Sequence, residues 1–201
     1  MRIRSRIALV ITVTGLAFGG FSAATVSAAP HQPTNSVVDS YSCSVSTPEG
    51  TFPYSASATF TGSTPAAVPV GATVLIGGFQ ARVSVPGSVL DEAYGYGVRT
   101  IAASVTAFDV TATDATVATV NIAKRAVKVG HARLAPSGNP SLAVNIPRIA
   151  AKVGSWVAST KGTMAFSPGD ATLHFKTNLG SLNVQCSPSP PNSALSTTTV
   201  D

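Results

Sequence analysis

Apolar and polar residues alternate along most of the chain with a period of two. The clearest run is Phe52 to Phe60, where Phe52, Tyr54, Ala56, Ala58 and Phe60 share one parity and Pro53, Ser55, Ser57 and Thr59 the other. That period predicts a half-buried strand in an antiparallel sheet, and Pro53 places it at a sheet edge or a strand start. The small alanines at its centre predict bulky partners across the core. Before it, Tyr41, Cys43 and Val45 alternate with serines and predict another strand, joined to it through the turn Thr47-Pro48-Glu49-Gly50.

From Ala72 to Pro86 the apolar parity changes between Val74, Ile76 and Phe79, Ala81, Val83, Val85. The switch falls at Gly77-Gly78, where a bulge or a sharp bend is expected. Gly87 to Ala93 carries the one helix signal, with Ser88 as expected cap, Asp91 at the capping-box position and Gly95 and Gly97 as terminators. Further strands are expected at Val98–Thr113, Thr116–Ala123, Ser141–Ile146, Ser155–Thr160, Thr163–Ser167, Asp170–Thr177 and Ser181–Cys186. Turns are expected at Thr113-Asp114-Ala115, Pro168-Gly169-Asp170 and Asn178-Leu179-Gly180.

About nine short strands and one short helix predict an all-β fold, a two-sheet antiparallel sandwich of immunoglobulin-like or Greek-key type. Cys43 and Cys186 are the only cysteines and both fall on apolar parities. They predict a disulfide joining the first and last strands, across the two sheets or between neighbours. Trp156 is expected in the core.

The ends read differently. Arg2, Arg4 and Arg6 precede an apolar run from Ile7 that closes in Val26-Ser27-Ala28. This is the pattern of a secretory signal peptide over residues 1–28, cut after Ala28. A retained anchor helix is the alternative, though Gly15, Gly19 and Gly20 interrupt the run. Residues 29–39 are polar enough to be a flexible lead-in, residues 40–187 form the domain, and residues 188–201 read as a disordered Pro-, Ser- and Thr-rich tail.

Cleavage changes the electrostatics. Three of the thirteen Lys and Arg residues lie before residue 28 and all eight acids after it, which takes the formal charge from +5 to +2. The mature chain is near neutral, so a nucleic-acid partner is not expected. No second apolar stretch reaches membrane-span length, so no transmembrane anchor is expected after cleavage. The expected location is extracellular, with the protein released or loosely held at the cell wall.

Several short motifs carry a resemblance. Tyr41-x-Cys43, Val70-Gly71, Val83-x-Val85-Pro86, Val120-Asn121-Ile122-Ala123-Lys124, Phe166-Ser167-Pro168-Gly169 and Val184-Gln185-Cys186 resemble DUF6801, a secreted β-sandwich domain of actinobacteria, over about Tyr41 to Cys186. The basic segment Lys128 to Pro136 departs from that pattern. The resemblance implies secretion and a β fold, and it implies no catalytic residue.

The chemistry-bearing residues are dispersed. His31 falls in the lead-in, His131 in a basic loop, and His174 shares an outward strand face with Thr172 and Lys176, so no metal site or cofactor is expected. The mature chain has no Gly-x-Ser-x-Gly nucleophile motif and no Cys-x-x-Cys. Asp91 and Glu92 are adjacent, hence about 100° apart on a helix, and do not flank one glycosidic bond. The expectation is therefore a protein that is not an enzyme.

Two binding candidates remain. Lys124, Arg125, Lys128, His131 and Arg133 form the densest charge, suited to wall teichoic acid, anionic lipid headgroups or another polyanion, or else simply a solvated turn without interleaved aromatics. Tyr94 and Tyr96 in Tyr94-Gly95-Tyr96-Gly97 form a sugar- or partner-binding lip, or else close the end of the core. The expected function is a cell-envelope or extracellular interaction module whose partner is a cell-wall polymer, a lipid or another extracellular protein. A carrier holding a lipid or other apolar molecule between its sheets is the alternative.

Overall fold

The structure, a computed structural model, describes residues 30, 33–47, 50–123, 127–189 and 193–201, with residues 127–130 described by their backbone alone. The expected signal peptide, His31, Lys124 and Arg125 lie outside the described residues. The described chain is mostly β, with eleven strands and one helix.

β1 (Asn35–Thr47) and β2 (Gly50–Ser63) pair antiparallel along their full length. Tyr41, Cys43, Ala56, Ala58 and Phe60 are buried on one face, while Ser40, Ser42, Ser55 and Ser57 are exposed on the other. β3 (Ala67–Val68) leads to β4 (Thr73–Val85), where Gly78 adopts a φ of 61°. The bend it permits turns both Ile76 and Phe79 inward despite their opposite parities, as the glycine pair predicts.

β5 (Thr100–Ala112), β6 (Thr119–Asn121) and β7 (Val127–Arg133) follow the helix α1 (Gly87–Gly95). Two of the next expected pairs of strands are each one strand. β8 (Leu142–Val157) bulges between Ile146 and Ala151, where the Gln80 amide donates to the carbonyls of Pro147 and Arg148 at 3.4 and 3.3 Å. β9 (Gly162–Thr177) runs straight through Pro168-Gly169, where a turn was expected. Those two residues are instead a buried irregularity against β5: the register shifts between Phe108 and Val110, and a side chain at Gly169 would press on the backbone of Asp109 at 3.2 Å. Close backbone approach, rather than chain reversal, selects the glycine. β10 (Gly180–Pro188) returns along β9 through Asn178-Leu179, the hairpin that was expected, and β11 (Ser196–Val200) ends the chain.

All the ladders belong to one mixed sheet that does not close, in place of the two expected sheets. Its path is β3-β11-β9-β10-β1-β2-β4-β8, with β5 on the other edge of β9 carrying β6 and β7; only β3 and β11 run parallel among these pairs. The long bulged strands carry the hydrogen bonding around the bends. The curl brings Phe108 of β5 to 5.6 Å from Phe60 of β2 and 6.2 Å from Phe79 of β4, ring centre to ring centre. Trp156 is fully buried, edge-on to Phe166 at 5.2 Å, as its expected core role requires.

The boundaries also shift. Asn35–Asp39 of the expected lead-in are part of β1, and Asp39 is buried. The expected disordered tail contains β11, which pairs with β9 and β3 and buries Leu195, Ser196, Thr198 and Val200. Polar composition concealed a five-residue alternation whose inward positions meet the core. Cys43 and Cys186 form a disulfide at directly opposed positions of neighbouring strands, β1 and β10, with Cα atoms 4.0 Å apart.

Candidate interaction site at the aromatic end

One end of the sheet is crossed by α1 and the loop after it. Ser88 does not cap the helix: Pro86 occupies the N-cap and no side chain bonds there. Asp91 is engaged elsewhere, accepting from the Asn139 backbone at 3.0 Å, the Asn139 side-chain amide at 2.6 Å and the Gly138 backbone at 3.2 Å. The Asn139 bonds, helped by that of Gly138, hold its carboxyl below the usual aspartate value. Asn139 closes the segment by bonding both the N–H and the carbonyl of Ala135. The helix is thus latched to the 135–139 loop, with Leu90 buried beneath.

Beyond the helix, the chain turns at Gly97, whose φ is 92°. The Asn178 side chain, from the β9–β10 turn, accepts from the N–H groups of Arg99 and Thr100 at 2.6 and 3.3 Å and donates to Gly97 O at 3.1 Å. The Arg99 guanidinium lies 3.7 Å above the Tyr94 ring and donates to Tyr94 O at 2.7 Å. These bonds hold two separate loops in one fixed arrangement.

The expected Tyr94 and Tyr96 lip therefore divides. Tyr94 is half-buried against the core and covered by Arg99. Tyr96 is 63% exposed, and its ring lies 6.1 Å from that of Phe52, itself 40% exposed. Leu179, 63% exposed, stands beside Gly97. Phe52 was read from its parity as part of the buried face. It lies at the open end of β2, next to the hairpin, where core parity no longer implies burial.

The basic stretch is not a loop where it is described. Lys128, His131 and Arg133 lie in β7, whose backbone pairs Lys128 with Ser104, His131 with Ala102 and Arg133 with Thr100. A seven-residue strand interrupted by Gly130 leaves too little alternation to read. Leu134 N then donates to Arg99 O at 3.0 Å, so the basic strand ends at the aromatic end. Nothing local in the sequence joins the two candidates.

Other chemistry is not assembled here. Burial raises the Tyr41 phenol well above its usual range and pushes Tyr54 up to about 12, so neither is a base near neutral pH. Tyr41 instead donates to Gly169 O at 3.1 Å. Among the described residues, no three His, Cys, Asp or Glu side chains gather to hold a metal ion, and no helix is long and apolar enough to cross a membrane. Within the core, a gap of about 10 Å³ is lined by Tyr41, Ala56, Ala58, Phe108, Leu173 and Cys186, among others.

No family model matches the chain, and no curated protein matches it in sequence. Among solved structures it is similar to that of a candidate membrane-anchored protein from Corynebacterium diphtheriae, with 19% identity and a TM-score of 0.47, over 83% of this chain and 38% of that one. The chain thus spans well under half the length of that protein, and the likeness carries no argument about activity.

Proposed function

We propose that this chain is an exported, non-enzymatic interaction module of the cell envelope or extracellular space, and that it meets its partner through the aromatic end. The observation that carries the reading is the exposed pair Tyr96 and Phe52, 6.1 Å apart, with Phe52 on β2 and Tyr96 beside the turn that Asn178 and Arg99 tie down. Exposed aromatic side chains on fixed backbones supply contact area at low entropy cost, the property of binding hot spots. Export is supported by the pattern of residues 1–28 and by the disulfide.

The carrier reading needs a cavity of several hundred Å³, far more than the gap of about 10 Å³ beside Tyr41 and Phe108 among the described residues. Native mass spectrometry of the exported protein, without reductant, combined with sedimentation on isolated cell envelopes, separates the readings. A bare mass with retention on envelopes is the expected result. A co-purifying apolar adduct, with no retention, overturns the proposal.

A further inference from the structure

The outward face of β7, β5 and β9 carries a second feature. Thr100, Ala102 and Ser104 of β5 are short side chains, and the strands on both sides carry cations and imidazoles: Arg133 and His131 on β7, Lys176 and His174 on β9. His131 and Lys176 flank Ala102 in one row; Arg133 lies opposite Thr100 and His174 opposite Ser104. Neighbouring strands lie about 4.8 Å apart, so the two flanks stand about 10 Å apart across a shallow trough floored by β5. Arg133, His131 and Lys176 are exposed, and His174 is paired through Nδ1 to Asn183 Oδ1 at 2.9 Å.

Charge on this face is one-sided. β7 and β10 contain no acid, and the acids of β5 and β9, Asp109 and Asp170, lie toward the opposite end of their strands. Among the described residues, neither Arg133 nor Lys176 has an ion pair. A field of one sign along a shallow surface concentrates anions there.

We infer that this trough binds an extracellular polymer bearing repeated phosphate or carboxylate groups, a wall polyanion rather than a bilayer. Each flanking strand contributes one of the permanent cations, Arg133 or Lys176, with an imidazole two residues, about 7 Å, along it, and the cations stand on opposite sides of β5, which suits separate charges on an extended chain. A single phosphate would need donors converging on one point, whereas Arg133 and Lys176 come from strands on opposite sides of β5 and from different rows of the register. A bilayer would need apolar side chains to insert, and none of the large exposed hydrophobics among the described residues lies on this face of β5, β9 or β10 except Leu179 at the turn. The inference shares with the proposed function only the extracellular location, and it stands or falls on different residues.

The test is titration of the exported protein with poly(glycerol phosphate), with phosphatidylglycerol vesicles and neutral dextran as comparison arms, at low and high salt. Binding to the polymer should weaken as salt rises. Arg133→Gln with Lys176→Gln should weaken it roughly tenfold, while Arg148→Gln with Lys161→Gln, which removes equal charge elsewhere on the exposed surface, should leave it within about twofold. Lys176→Gln alone should weaken it about threefold, which keeps the test decisive if the double variant folds poorly. Equal losses from the two pairs, binding no tighter than to dextran, or vesicles binding as tightly as the polymer at matched phosphate would each overturn the inference. Loss of envelope retention in Phe52 and Tyr96 variants, with polymer binding intact, would leave it standing.

Discussion

Cys43 and Cys186 face each other across β1 and β10, with 143 residues of sequence between them. The bridge therefore closes nearly the whole sheet path outside β11 into one loop. In the chain-entropy account, opening a loop of this length costs about 4 to 5 kcal/mol. Cys43→Ser should lower the urea midpoint by a corresponding amount, whereas reduction that leaves the midpoint unchanged would remove the bridge from the stability account. Cys43 and Cys186 are both buried and take no part in the exposed surface, so molecules that still fold should keep their binding.

Gly154 sits against Trp156, with a φ of 75°. A Cβ there would overlap the six-membered ring of the indole, which is fully buried. Gly154→Ala should destabilise by about 2 to 3 kcal/mol through overpacking and left-handed strain. Denaturant unfolding followed by Trp156 fluorescence checks both the loss and its location, and an unchanged midpoint would show that the ring has room to move.

The C-terminal strand is predicted to behave as core. Leu195 is buried, with its Cδ2 over Gly62, while Thr197 faces solvent. Leu195→Ala should cost about 2 to 4 kcal/mol and Thr197→Ala less than about 0.5 kcal/mol. Equal small effects in thermal melts would return residues 193–201 to the status of a tail.

The Asp91 latch should make stability fall in acid. Its folded-state carboxyl titrates below the unfolded one because Asn139 and Gly138 donate to the ionised form. The stabilisation is therefore fully present above the unfolded value, near pH 4, and is lost as the pH falls through the lower folded value. Asp91→Ala should lower the melting temperature at pH 7 and flatten the decline below about pH 4. A variant whose acid decline parallels that of the native chain would dissociate Asp91 from it.

Local alternation carried much of the fold. The β1–β2 hairpin, the bend at Gly77-Gly78 and the β9–β10 turn were all legible because each depends on a few consecutive residues. What was not legible depends on contacts distant in sequence. Pro168-Gly169 has turn chemistry but meets β5, Ser88 has cap chemistry but Asp91 is taken by Asn139, and the polar Ser196–Val200 segment becomes a strand only beside β9. The candidate site divides in the same way: Tyr94 and Tyr96 stand out as adjacent aromatics, while Phe52, Leu179 and the approach of β7 arrive through the curl of the sheet.

The central claim is that the exposed rings at the aromatic end bind the partner. The most direct measurement is the affinity of the Phe52→Ser, Tyr96→Ser double variant for isolated cell envelopes, taken beside its melting temperature. Because both rings are partly exposed, the variant should melt within about 3 °C of the native chain yet bind at least roughly tenfold more weakly. Undiminished affinity in a folded variant would contradict the account.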